Sequence, residues 1–241
     1  MLLVCSGLLS AQERNVQVHG RSYRVYTKGI DKRNPKTPVI VFENGLGVGL
    51  GHWDTIIDDI AKFAPVLSYN RAGVEASEKV YQMPTPKFVA DNLKALLNTL
   101  QLAPPYILVG HSMGGLYIRG YAGYYPQEVA GLVFIDPADF TETKAGWKLL
   151  LSRLDIPAKR VDEMIYERLY KPVTTVDSAR FGPWSEQQVL TGLRRTDFAE
   201  LNSLTLPKCR YCFLLVESLK CPLGNGAQSL TTLSFTENEP I

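Results

Sequence analysis

The clearest chemistry in this chain lies at Gly110-His111-Ser112-Met113-Gly114, a serine held between two glycines. The residues before it, Tyr106-Ile107-Leu108-Val109, form an apolar run, and a helical pattern resumes after it. This places the serine at the apex of a strand, a tight turn and a helix. Gly110 and Gly114 are small where strand and helix must approach closely around an exposed hydroxyl. The five-residue pattern alone carries little weight, and the two flanks supply the rest. The alternative is a serine in an ordinary glycine-rich turn between a strand and a helix.

Length and composition bound what surrounds that turn. The chain has 241 residues, 45% hydrophobic and 21% charged, enough for a single domain with a large core. Its 26 basic and 24 acidic residues leave a net charge of +2, which gives no field that calls for nucleic acid or an anionic membrane. No apolar run approaches the length of a transmembrane segment, and there is no internal repeat. Residues 1–11 are apolar and end in Ser10-Ala11, like the back half of a secretory signal peptide without its basic leading region. That pattern predicts export to the periplasm or the exterior. The alternative is a cytoplasmic protein whose first strand or terminus is apolar.

The elements that must hold the serine alternate between strand and helix. Val16 and Val18, then Tyr23 and Val25, alternate with polar residues about Gly20 and predict an antiparallel hairpin. Pro38–Phe42 is continuously apolar, as in a central strand covered on both faces. A helix is expected near Trp53–Phe63, and a strand over Val66–Tyr69. Thr85 and Pro86 announce a further helix with Val89, Leu93, Leu96, Leu97 and Leu100 as its buried stripe. After the serine turn, a helix runs to a stop at Pro126, and Val129–Ile135 forms the sixth strand, ending at Asp136. Residues 139–206 then break the rhythm with three amphipathic stretches and no strand. They are expected to form a helical cap inserted over the strand ends, or else a helical extension packed elsewhere. The organisation expected is therefore a core over 12–138, a cap over 139–206 and the remainder of the core over 207–241.

Three blocks of sequence, in order, carry a family resemblance. They are Phe42-Glu43-Asn44-Gly45-Leu46-Gly47, then Tyr69-Asn70-Arg71-Ala72-Gly73-Val74-Glu75-Ala76-Ser77, then the serine turn. Together they resemble the α/β-hydrolase superfamily in its capped, esterase-like branch, over about residues 16–207. The first stands where these enzymes have a His-Gly oxyanion loop, with Asn44 in place of the histidine. The second is similar to the family's Tyr-Asp-Arg-x-Gly-x-Gly-x-Ser, from which Asn70 and Glu75 depart. The fold implied is a doubly wound, mostly parallel sheet with a cap after the sixth strand.

The activity implied is hydrolysis of carboxylic esters or related small acyl substrates, without metal or organic cofactor. Ser112 would be the nucleophile at a nucleophile elbow, activated by a base because a serine hydroxyl is weak at neutral pH. Asp136 would be the acid that orients the base, with Asp139 a weaker candidate and loop capping the alternative role. The backbone N–H groups of Leu46 and Met113 would form the oxyanion hole, each worth about 3 kcal/mol of barrier. Acyl transfer to an acceptor other than water would use the same residues. Tyr69, Trp147, Tyr166 and Trp184 could line an apolar acyl pocket or simply serve as core.

The base is the discordant part. Family order requires a histidine after Asp136, and the three histidines are His19, His52 and His111. His19 falls in the opening hairpin, His52 at a helix start, and His111 on the side of the elbow expected to face away from the serine. Around Cys209, Cys212 and Cys221 the pattern dissolves, with no fourth ligand spaced for a thiolate metal site. Permissible codons for Cys209 onward, read two bases later, spell Pro-Val-Leu-Phe-Phe-Val-Gly-Gly-Lys-Phe-Glu-Val-Pro. That is a strand, a glycine turn and an acidic residue, so a frame shift near Lys208 is expected to have removed the histidine-bearing end. A natural, divergent C-terminus is the alternative, and with it a silent binding protein. Sequencing the encoding DNA past the codon of Leu206 should reveal, in the shifted frame, that strand followed by a histidine codon; an intact frame with neither removes the expectation.

Overall fold

A computed structural model of the protein describes residues 12–31, 33–138, 144–154, 156–169, 181–214 and 233–236. Residues 1–11, including the signal-like stretch, lie outside the described residues, as does Asp139. Among the described residues, eight strands form one sheet in the order β1-β2-β4-β3-β5-β6-β7-β8. Strands β1 (Gln12–Val18) and β2 (Arg21–Lys28) pair antiparallel about a turn at His19 and Gly20, both with positive φ. Two consecutive residues of that conformation match the right-handed twist of a hairpin.

The centre of the sheet is parallel. It comprises β3 (Val39–Glu43), β4 (Val66–Tyr69), β5 (Tyr106–His111), β6 (Val129–Ile135) and β7 (Arg210–Leu214). Along β3 the side chains alternate between two buried faces. Val39 and Val41 join a cluster with Leu93, Leu96, Leu97, Leu108 and Ile118, while Phe42 meets Trp53, Ile57, Val66 and Val109 on the other side. A continuously apolar strand is the pattern such double coverage demands.

Helix α1 (Ile57–Ile60) is much shorter than the helix expected over 53–63, and a 3₁₀ turn, Leu50–Trp53, precedes it. Side chains compete for the backbone here: Asn70 Oδ1 accepts the Leu50 N–H at 2.6 Å and Glu75 Oε1 accepts that of Gly49 at 3.2 Å. The β-branched residues Thr55, Ile56 and Ile57 add weak helix propensity. Helix α2 (Pro86–Thr99) follows its expected form, with Thr85 Oγ1 accepting the Phe88 N–H at 3.2 Å and Pro86 as first residue. Helix α3 (Met113–Tyr124) leaves the serine turn.

After β6 come α4 (Lys144–Ser152), α5 (Ala158–Leu169), α6 (Phe181–Arg195) and α7 (Ala199–Asn202), with no strand between β6 and β7 among the described residues. Leu151, Val161 and Ile165 join α4 to α5. Val189, Leu190 and Leu193 seat α6 against Met113, Leu116 and Tyr117 of α3.

Beyond Lys208, where the family pattern dissolves in the sequence, the sheet continues. Arg210–Leu214 runs parallel to Gly131–Ile135, and β8 (Leu233–Thr236) pairs antiparallel beyond it. The segment Tyr211-Cys212-Phe213-Leu214 is apolar and aromatic in sequence, so it suits the open edge that β6 offers.

Glycines report where the layers are closest. A Cβ on Gly114 would lie 2.2 Å from the Glu43 carbonyl oxygen, whereas one on Gly192 in α6 would meet nothing within 4 Å. Gly114→Ala should therefore destabilise the chain by at least about 3 kcal/mol, and Gly192→Ala should stabilise it by about 1 kcal/mol. Urea midpoints of the two variants measure both, and equal midpoints would contradict the packing described.

Candidate active site

At the end of β5, Ser112 takes φ 50° and ψ −120°, a conformation costly for a residue with a Cβ. Its backbone is held on several sides: its N–H donates to Ile135 O at 3.0 Å, and its carbonyl accepts from Gly115 at 3.0 Å and Ala138 at 2.8 Å. These bonds fix the strained turn between β6 and α3. A Cβ on Gly110 would lie 2.6 Å from Gly114 O, so neither position tolerates a side chain without moving strand against helix.

The first block leaves β3 directly beside this turn. A Cβ on Gly45 would stand 3.1 Å from His111 Nδ1 and 3.7 Å from Ser112 Cβ, so the main chain before Leu46 runs close beside the elbow. Asn44 is buried. Its Nδ2 donates to Tyr69 O at 2.7 Å, and its Oδ1 accepts from Trp53 Nε1 at 2.5 Å. The amide thus ties the loop to β4 and to the 3₁₀ turn. Leu46 follows Gly45 and packs against the apolar cluster that contains Met113, the residue after Ser112.

The second block supplies the charge. Arg71 is 3% exposed and makes five hydrogen bonds. Nε and Nη2 donate to Glu186 Oε1 and Oε2 of α6 at 2.5 and 2.9 Å, and Nη1 donates to Glu43 Oε1 at 2.7 Å. The remaining two bonds reach the Asn44 and Gly45 carbonyls at 2.7 and 2.6 Å. Its guanidinium carbon also stands 5.0 Å from the centre of the Tyr117 ring. Burial opposes the arginine's charge, but Glu186 and Glu43 outweigh it and hold the proton more tightly than usual. Burial pushes the Glu43 carboxyl up, against the lowering by Arg71 and by the Tyr69 hydroxyl that donates to it. Glu186 Oε2 further accepts the Gly47 N–H at 2.6 Å.

The departures in this block have structural tasks. Asn70 receives Leu50 N–H, as noted for the 3₁₀ turn. Glu75 adopts φ 46°, and its carboxylate sits between Gly49 N–H and Asn70 Nδ2.

Asp136 follows β6 at φ 40° and is exposed. It acts electrostatically on His111, whose ring stacks on that of His52 with centroids 4.7 Å apart. Burial, then His52, hold His111 below the ordinary histidine value, and Asp136 opposes them. His111 Nδ1 is buried without a hydrogen-bond partner among the described residues. His19 sits in the β1–β2 turn.

The aromatic candidates separate. Tyr69 is buried in the Glu43 network, Tyr166 is 57% exposed on α5, Trp184 is half-buried on α6, and the Trp147 side chain lies outside the described residues. Cys209 is half-buried, and among the described residues no group of three or more histidine, cysteine or acidic side chains is placed to hold a metal. No helix among them is long and apolar enough to cross a membrane.

Sequence reasoning missed Glu186. The available signal was its register: it precedes Val189, Leu190 and Leu193 by three, four and seven residues, which puts a carboxylate on the apolar stripe of α6.

A parallel sheet, a strained serine between strand and helix, and a backbone loop abutting it define a class of fold that comparison with known proteins names. The family model described as α/β hydrolase fold matches residues 38–188, and the chain belongs to that family. The chain is 31% identical over 99 residues to the uncharacterised protein YqjL of Bacillus subtilis, a match covering 41% of this chain and 39% of that one. It is 27% identical over 112 residues to the human (lyso)-N-acylphosphatidylethanolamine lipase, covering 45% of this chain and 32% of that protein. These matches span at most about two fifths of either relative. Among solved structures, a candidate epoxide hydrolase of Pseudomonas aeruginosa superposes with a TM-score of 0.61 at 17% identity, over 92% of this chain and 84% of that one. This last likeness concerns the fold.

Because its folded value is lowered, His111 contributes stability that is present above pH 6.5 and is lost as pH falls through the folded value. Nuclear magnetic resonance of the imidazole protons should give His111 a midpoint below 6.5. His111→Asn should flatten the fall in thermal midpoint between about pH 7 and pH 5; an unchanged slope would contradict this assignment.

Proposed function

We propose that the chain is a serine hydrolase of carboxylic esters or related acyl substrates, working through an acyl-Ser112 intermediate. The observation that carries this reading is the main chain of Gly45 lying against Ser112 at the strained elbow. A carbonyl carbon placed over Ser112 Oγ would have its oxygen between the Leu46 and Met113 amides. As Oγ attacks, its proton passes to a base, and the C–O double bond opens to an oxyanion that the two N–H groups accept. Collapse expels the alcohol, which takes the proton back from the base. Water then repeats the sequence to release the acid and restore the serine. None of these steps calls on a metal or an organic cofactor.

In this reading Asp136 is the acid, at the end of β6 with His111 in its field. The helical segment from α4 to α6 is the cap, and α6 supplies the wall over the oxyanion loop, where Gly182 meets Gly73 and Pro183 meets Gly47. The lipase among the relatives is in keeping with an acyl substrate.

A second reading has its own support: His111 Nδ1 bonds to nothing among the described residues. It makes the chain a binding protein that keeps the pocket without the base. A fluorophosphonate probe decides between them. The hydrolase reading expects covalent labelling at Ser112, found by peptide mass and abolished in Ser112→Ala. A folded wild-type sample that stays unlabelled establishes the silent protein instead.

A further inference from the structure

The buried carboxylate on α6 is explained neither by the core it interrupts nor by the chemistry of Ser112. Removing two carboxylates and a guanidinium from water costs several kcal/mol per ion, so the cluster is not a simple source of stability. Its bonds converge on one object. Arg71 takes the carbonyls of Asn44 and Gly45, and Glu186 takes the N–H of Gly47. In a planar trans peptide the C=O and the following N–H point in opposite directions. With Gly45 O drawn to Arg71 Nη2, the Leu46 N–H of the same peptide must face away from the guanidinium. The Glu186–Gly47 bond fixes the next peptide, so the loop is gripped on both sides of Leu46.

We propose that Glu186 is a positioning residue: through Arg71 and Gly47 it sets the direction of the Leu46 amide, so α6 holds one donor of the oxyanion hole. The donor role of that amide rests on the acyl-serine reading, whereas its orientation does not. The arrangement makes the substrate-covering helix and the oxyanion loop one unit. A displacement of α6 is transmitted to the amide through a bidentate ion pair.

The test compares the full-length wild type with Glu186→Gln and Glu186→Ala. Amide ¹H–¹⁵N spectra should show the Leu46 and Gly47 signals displaced in Glu186→Ala, with those of Leu108 in β5 unchanged. Fluorophosphonate labelling of Ser112 should slow about 100-fold in Glu186→Ala and about tenfold in Glu186→Gln, which keeps an oxygen for Gly47. The loss should fall on the maximal inactivation rate and leave the half-saturating probe concentration in place, a split that a general loosening of the fold would not produce. A Leu46 signal that does not move, or a labelling rate equal to wild type, overturns the proposal. If wild type itself fails to label, the acyl-serine reading falls, and the amide spectra alone decide the positioning claim. If Glu186→Ala does not fold, Glu186→Gln decides both measurements.

Discussion

A guanidinium removed from water must find acceptors for its donors, and Arg71 finds five. They lie on the end of β3, on the loop beyond it and on α6. A buried cation with one carboxylate removed is destabilised by about 3–5 kcal/mol. That penalty makes the three segments interdependent: none can move without stranding a charge. The loop that passes Ser112 has little apolar side chain of its own to hold it, with Gly45 and Gly47 flanking Leu46. Electrostatics stabilise it where hydrophobic contact is scarce.

The elbow is held by the complementary means, exclusion of volume. Gly110, Gly114 and the Glu43 carbonyl stand so close that any side chain would force β3, β5 and α3 apart. The strain at Ser112, of the order of 1–3 kcal/mol, is sustained by the hydrogen bonds from β6 and the first turn of α3. A rigid backbone thereby fixes the point from which the Ser112 side chain projects. Polar clamp and steric clamp meet at Glu43, which lends its carbonyl to one and its carboxylate to the other.

The three motif blocks and the helical stretch after β6 relate in the same terms. Glu186 binds the first block directly and the second through Arg71, and its neighbours Gly182 and Pro183 touch Gly73 and Gly47. The third block receives α6 through Met113, Leu116 and Tyr117. Helix α6 is thereby seated by contacts to all three.

The sequence by itself determined the elements whose formation is local. The serine turn was legible because two glycines and a change of hydrophobic period mark a strand giving way to a helix. The start of α2 was legible because Thr85 and Pro86 act on their own first turn. The doubly covered strand β3 showed as an unbroken apolar run. Long-range effects were not legible. Where a helix was expected over 53–63, a 3₁₀ turn stands at its start, and Asn70 and Glu75, distant in sequence, take the Leu50 and Gly49 amides of that turn. The strand β7 formed in a segment with no family pattern because β6 presented an open edge. Only the tertiary structure decided that Glu186 reaches Arg71 across 115 residues and that His52 stacks on His111. Pairing of that kind depends on which surfaces are brought together and dried, and no local spacing records it.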